Sequence, residues 1–102
     1  MADEYYFRKQ VIEIFGFDEQ FLDELEAEEL VRSERLEPSR ESVFTRDQME
    51  RIRIIDNLVR ELEVNLAGVE VILEMRENML RMQRQFDVIL QTIVEQLRGK
   101  LP

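Results

Sequence analysis

Apolar and polar positions alternate along this chain with the period of helices. Phe7, Val11, Ile14 and Phe15 recur at steps of four, three and one, which predicts a first helix over about 6–15. Gly16 supplies a left-handed stop, and Asp18 is placed to cap a second helix over about 18–30, with Glu19 in its first turn. Phe17 and Leu22 have the spacing of a hydrophobic staple across that cap. In the second helix Phe21, Leu22 and Leu25, with Ala27 beside them, form the inward face. Asp23, Glu24, Glu26, Glu28 and Glu29 form the other. Two short helices joined by a three-residue turn make a helix-turn-helix.

The period changes between residues 31 and 44. Val31–Ser33 and Ser42–Phe44 are expected as short strands flanking a loop with Pro38, a small hairpin or wing that carries Arg32, Arg35 and Arg40. Thr45 and Gln48 then have the spacing of a capping box, and Phe44 with Met49 that of a staple, so a third helix is expected over 45–63. Its apolar stripe is Met49, Ile52, Ile55, Leu58, Val59 and Leu62. Asn65 opens a fourth helix, with Val64 and Val69 as its staple, and nothing interrupts it before about residue 98. Ile72, Met75, Met79, Met82, Phe86, Ile89 and Ile93 step by three and four in strict alternation, which is a heptad seam. Gly68 in the first turn suits close packing of a neighbouring helix. The domain reading is a winged helix-turn-helix over 1–65 and a long helix over 66–98. The outer half of that seam calls for a partner helix, most simply a second copy in a homodimer.

Composition sharpens this picture. Residues 1–37 hold twelve Asp or Glu against four Lys or Arg, a balance of −8, whereas residues 38–102 balance at −1. A surface so acidic repels phosphate backbones and attracts basic protein patches. The chain has no cysteine and no histidine. That removes disulfides, thiolate metal sites and the commonest general base. There is no phosphate-binding glycine loop, no nucleophile beside a base and no calcium loop; carboxylate pairs such as Glu28–Glu29 and Glu61–Glu63 are uninformative in so acidic a chain. No enzyme activity, no cofactor and no metal are expected. Apolar runs are too short for a membrane span and the start of the chain lacks a signal pattern, so a cytoplasmic protein without membrane contact is expected.

Three segments carry a resemblance. Gly16–Val31 runs in register with "G-V-S-x-x-T-L-R-Y-Y-E-x-x-G-L-I" of the MerR family of winged-helix regulators. Val43–Ile52 is similar to that family's wing-to-helix junction. Val64-Asn-Leu-Ala-Gly-Val69 resembles a stretch of the heat-shock repressors in the same superfamily. The fold implied is mainly α, a MerR-like winged helix-turn-helix followed by a long coiled-coil helix. The departure lies on the recognition helix, where an arginine followed by tyrosines in the family pattern is replaced by Asp23, Glu24 and Leu25. Base readout needs cationic or amide side chains there. This trade resembles the CbpM-like chaperone modulators of the superfamily, and the Val43-Phe44-Thr45-Arg46-Asp47 junction is similar to theirs. The resemblance implies binding to the J-domain of a CbpA- or DnaJ-type co-chaperone and inhibition of its work with a DnaK-type chaperone. The docking face would be Asp23, Glu24, Glu26, Glu28 and Glu29, with no nucleic acid bound. The alternatives are a MerR-type transcription factor that contacts DNA through Arg8, Lys9 and the wing arginines, and a dimerisation module for some other basic partner.

Overall fold

The computed structural model describes residues 4–100. The order of elements is β1 (Tyr5–Phe7), α1 (Arg8–Phe15), α2 (Glu19–Ala27), β2 (Glu34–Leu36), β3 (Glu41–Thr45), α3 (Arg46–Arg60) and α4 (Leu66–Lys100). The chain divides into two compact units, one up to Leu66 and one from Ala67 onward. The protein is mainly helical, with a small sheet and a helix-turn-helix ahead of the long last helix.

The first helix begins two residues later than its apolar spacing predicts, because Tyr5–Phe7 is a strand. These three aromatics suit an extended backbone. They pair antiparallel with β3, Tyr5 opposite Thr45, Tyr6 opposite Phe44 and Phe7 opposite Val43. β2 pairs on the other side of β3, so the order is β1-β3-β2 and β3 is the central strand. The first wing strand is Glu34–Leu36 rather than 31–33. Val31 is buried instead, and the Arg32 backbone N–H donates to Gln48 Oε1 at 2.8 Å rather than to a strand.

Two helix ends are set by left-handed residues. Gly16 has φ 69° and its N–H donates to the Ile12 carbonyl at 2.8 Å, ending α1 as expected. α2 ends at Ala27, three residues before its predicted limit, because Glu29 takes a φ of 59°. The Glu29 N–H donates to Glu26 O at 3.0 Å and the Leu30 N–H to Leu25 O at 2.9 Å. This is the Schellman arrangement, and it turns Leu30 back to be buried with Leu25. At α1 the Phe7 N–H donates to Gln10 Oε1 at 2.8 Å, which satisfies one orphan donor of the first turn. Asp18 sits at the N-cap of α2 with extended backbone, but its side chain makes no cap hydrogen bond; its carbonyl accepts from Phe21. At α3 Thr45 Oγ1 accepts from the Gln48 N–H at 3.3 Å, while the Gln48 side chain serves Arg32 instead of closing the capping box.

The core of the first unit is apolar throughout. Val11 of α1, Leu22 and Leu25 of α2, Val43 and Phe44 of β3, and Ile52 and Ile55 of α3 are all fully buried, with Leu30 and Val31 nearly so. Each such side chain contributes about 1.5–3 kcal/mol on burial. α1 packs on β1, β3 and α3, and Arg51 Nε donates to the Leu30 carbonyl, tying α3 to the end of α2. Phe7 and Ile14, expected on the inward face of the first helix, are 42% and 58% exposed, and Ala27 is exposed as well. α3 ends at Arg60, before the predicted 63, because Glu63 is left-handed and the Val64 N–H folds back to Leu58 O at 3.0 Å. Leu62 therefore leaves the apolar stripe and is 67% exposed.

α4 runs without a break for 35 residues, to Lys100 rather than 98, about 50 Å at 1.5 Å per residue. Val69 and Leu73 are its buried residues; beyond Leu73 none of its described side chains is buried. No helix among the described residues is long and apolar enough to cross a membrane.

The left-handed Glu29 generates a prediction. The MerR pattern has glycine at the matching position, and a side chain there costs about 1–2 kcal/mol that glycine avoids. After the loss of chain entropy is subtracted, Glu29→Gly is expected to raise stability by about 0.5–1 kcal/mol. Urea denaturation checks it: an unchanged or lower midpoint would show that this backbone turn is not strained.

Candidate partner-binding face

α2 is the recognition helix of the helix-turn-helix, and no Lys or Arg occurs between Lys9 and Arg32. The same stretch holds eight carboxylates: Glu13, Asp18, Glu19, Asp23, Glu24, Glu26, Glu28 and Glu29. Helical geometry sorts those of α2 onto two flanks. Glu19, Asp23 and Glu26 follow one another at steps of four and three and form one stripe. Phe17, Phe21, Glu24 and Glu28 step by four, three and four and form the other.

The first flank is occupied by the protein itself. Arg8, the first residue of α1, reaches across the turn with all three guanidinium nitrogens. Nε lies 3.3 Å from Glu19 Oε1, while its two terminal nitrogens meet Asp23 Oδ1 and Glu26 Oε1. Glu26 also accepts from Ser33 Oγ at 3.3 Å, at the start of the wing. Glu19 and Asp23 are 67% and 66% exposed, so their pairs are worth little in water; Arg8 and Glu26 are 22% and 28% exposed and less screened. Burial acts to lower the Arg8 pKa, but the hydrogen bond and charge of Glu26, with Asp23 and Glu19, outweigh it and the pKa is raised. A raised cation pKa adds stability that is fully present below the unfolded value, so the contribution of Arg8 holds across the neutral range and is lost as pH rises into strong base. One cation among three carboxylates leaves the cluster with two net negative charges.

The second flank is open. Among the described residues Glu24, Glu28 and Glu29 make no side-chain ion pair, and all three are exposed. Phe17 and Phe21 continue this stripe toward the turn. Phe17 stacks on Phe15 with centroids 5.7 Å apart and planes 7° from parallel, and meets Phe21 edge-on at 5.2 Å. Offset-stacked and edge-to-face pairs are both favourable, about 0.5–1.5 kcal/mol beyond area burial. The three rings are half-buried, so an aromatic ledge lies next to unpaired carboxylates. Of the five residues expected to dock a partner, Asp23 and Glu26 thus face Arg8, and Glu24, Glu28 and Glu29 face outward. The aromatic ledge was missed: Phe17 reads as a staple and Phe21 as core, although their four-residue spacing was visible.

The other charges are arranged otherwise. Arg35 of the wing donates to the Arg40 carbonyl at 3.0 Å, in a loop where Arg40 itself has φ 61°. Arg60 lies 2.8 Å from Asp56 and donates to the Phe15 carbonyl at 2.6 Å, fastening α3 to the aromatic turn. On α4 the seam is in solvent: Ile72 is half-buried, while Met75, Met79, Met82, Phe86, Ile89 and Ile93 are 47–67% exposed. Among the described residues no group of three or more acidic side chains is placed to hold a metal ion.

Arg8→Gln is expected to destabilise the first unit by about 1 kcal/mol, because half-buried Glu26 loses its charge partner. The loss should be smaller at high salt, where the carboxylates repel less. Denaturation at two ionic strengths measures it; an unaffected fold would show that the cluster is surface decoration.

The helix-turn-helix, the wing and most of the long last helix fall within one match to known proteins. No curated protein and no solved structure matches the chain. Residues 7–91, however, match the family described as MerR HTH family regulatory protein, a stretch from the end of β1 to the last third of α4. The chain belongs to the MerR HTH family of regulatory proteins.

Proposed function

We propose that this chain is a non-enzymatic modulator that binds the J-domain of a CbpA- or DnaJ-type co-chaperone and inhibits its work with the DnaK-type chaperone, in the manner of the CbpM-like proteins it resembles. The observation that carries this reading is the charge of α2. The helix that would read bases has no cation, and Arg8, one of the cations a DNA-binding alternative needs, is held by Glu19, Asp23 and Glu26. Two like charges 4 Å apart repel by about 1 kcal/mol in water and more beside a protein surface. Glu24, Glu28 and Glu29 would face a phosphate backbone at that cost each, while Arg35 and Arg40 belong to the wing and Arg32 lies beside Glu26 and Glu29 at the end of α2.

A basic helix meets the opposite situation. Its cations are attracted to Glu24, Glu28 and Glu29, and its apolar ridge finds Phe17 and Phe21 beside them. A J-domain presents such a helix to its chaperone, so the acidic flank of α2 is a competitor for it. A second copy of the chain pairs along the seam from Ile72 to Ile93, which makes the working form an assembly in the cytoplasm, where no cofactor or metal takes part.

The test is binding of the purified chain to a J-domain, followed by anisotropy at several salt concentrations. Wild-type affinity should fall as salt rises. Glu24→Lys with Glu28→Lys should slow association about tenfold and flatten the salt dependence, with helicity unchanged by circular dichroism. These two residues serve better than Asp23, whose replacement by lysine would set a cation against Arg8. A wild-type chain that ignores J-domains, or that binds duplex DNA with sub-micromolar, sequence-dependent affinity, overturns the proposal.

A further inference from the structure

The turn between α1 and α2 is held from a third element. Gly16 is left-handed, and this fold in the backbone lets Phe15 and Phe17, two residues apart, stack nearly parallel. Phe21 meets Phe17 edge-on, one helical turn further. The Phe15 carbonyl, one of the orphan acceptors at the end of α1, accepts from an Arg60 terminal nitrogen at 2.6 Å. Arg60 Nε in turn lies 2.8 Å from Asp56 Oδ1. Asp56 is only 16% exposed, so this pair is screened less than a surface pair. Its helix is fixed in the core by Ile52 and Ile55. The three rings are half-buried, and part of each is left to solvent.

The charge beside the rings decides what can cover them. Phe17, Phe21, Glu24 and Glu28 form one stripe, apolar at the turn and acidic toward the end of α2. Phe21 and Glu28 are seven residues apart, about 10 Å at 1.5 Å per residue. Among the described residues Glu24 and Glu28 make no ion pair and are exposed. Arg60, the cation at the apolar end, is matched by Asp56 and does not turn a basic partner away. Acidic or phosphate-bearing partners are repelled, and so is the same stripe of a second copy. A helix laid along α2 is therefore met by acids at one end and by rings at the other.

We propose that Phe17 and Phe21 are the affinity anchor for a basic amphipathic helix whose cations and apolar side chains are segregated end to end, and that Arg60, held by Asp56, positions that anchor. This rests on the partner-binding reading of α2 given above and adds the order of side chains the partner must carry. A site fixed before binding loses less freedom when it is filled. Aromatic anchors act chiefly on dissociation and rim charges on association, so the two ends of the stripe have separate kinetic signatures.

Stopped-flow anisotropy on the full chain tests this with two fluorescein-labelled helical peptides of one composition. One carries Lys, Lys, Leu and Leu in that order at the same steps as the stripe. The other sets its lysines and leucines on opposite faces. The first is expected to bind about tenfold tighter. Phe17→Ala should raise its dissociation rate about tenfold and leave association and salt dependence unchanged, the converse of Glu24→Lys with Glu28→Lys. Arg60→Met should raise dissociation about fivefold at unchanged helicity, and Arg60→Lys, which still donates and carries charge, should restore most of it. Equal affinity for the two peptides overturns the segregated partner, and needs no variant to fold. An unchanged dissociation rate in Phe17→Ala overturns the anchor. An Arg60→Met chain that loses stability but keeps the wild-type dissociation rate overturns the positioning role. A chain that binds the first peptide and ignores J-domains overturns the co-chaperone reading alone, whereas one that binds a J-domain and ignores both peptides overturns this inference alone.

Discussion

Everything on the recognition helix depends on where one guanidinium goes. α2 and its C-terminal turn carry six carboxylates and no cation, and such a helix repels itself. Arg8 answers this from α1. It is the first residue of that helix, which brings its side chain across the turn to the stripe formed by Glu19, Asp23 and Glu26. The two helices of the motif are thereby joined by charge on one side and by Val11, Leu22 and Leu25 beneath. With that flank engaged from within, the remaining carboxylates are left pointing outward on the other.

This division separates acids held by Arg8 from acids left exposed. Glu26 is less exposed than Glu19 or Asp23 and bridges to Ser33 as well as Arg8, so it belongs to the frame. Among the described residues Glu24 and Glu28 make no side-chain ion pair, and they lie in line with Phe17 and Phe21 on the exposed flank. Interfaces draw their strength from aromatic anchors and their association rate and selectivity from charges at the rim. The open flank of α2 has both in one stripe. The family frame is thus kept, with its wing and its β1-β3-β2 sheet, while the chemistry of the reading face is reversed in sign.

The last helix obeys a different constraint. The core of a chain this short cannot cover 35 helical residues, and only Val69 and Leu73 are buried on α4. Large apolar side chains continue to Leu97 all the same. Such a pattern leaves an apolar stripe exposed along the helix. The neutral balance of α4 contrasts with the −8 of residues 1–37, so the acidic surface and the exposed apolar stripe lie on different parts of the chain.

Local signals in the sequence determined the helices, because each has a start, a stop and a repeat that act over a few residues. Gly16, the Thr45 cap and the unbroken heptads of α4 are of this kind, and so is the helix-turn-helix with its acidic recognition helix. What the sequence alone did not show are the features that need residues far apart to meet. Tyr5–Phe7 is a strand only because β3, some forty residues on, offers its edge. α2 stops early because Leu30 is drawn back beside Leu25, with Glu29 forced left-handed between them. Gln48 leaves its own capping box for the backbone of Arg32. The candidate face divides for the same reason: periodicity shows that five acids share a helix, but the side chain of Arg8 decides which of them are paired inside the protein and which remain exposed. Charge, period and caps are local properties of the chain, whereas pairing is a property of the fold.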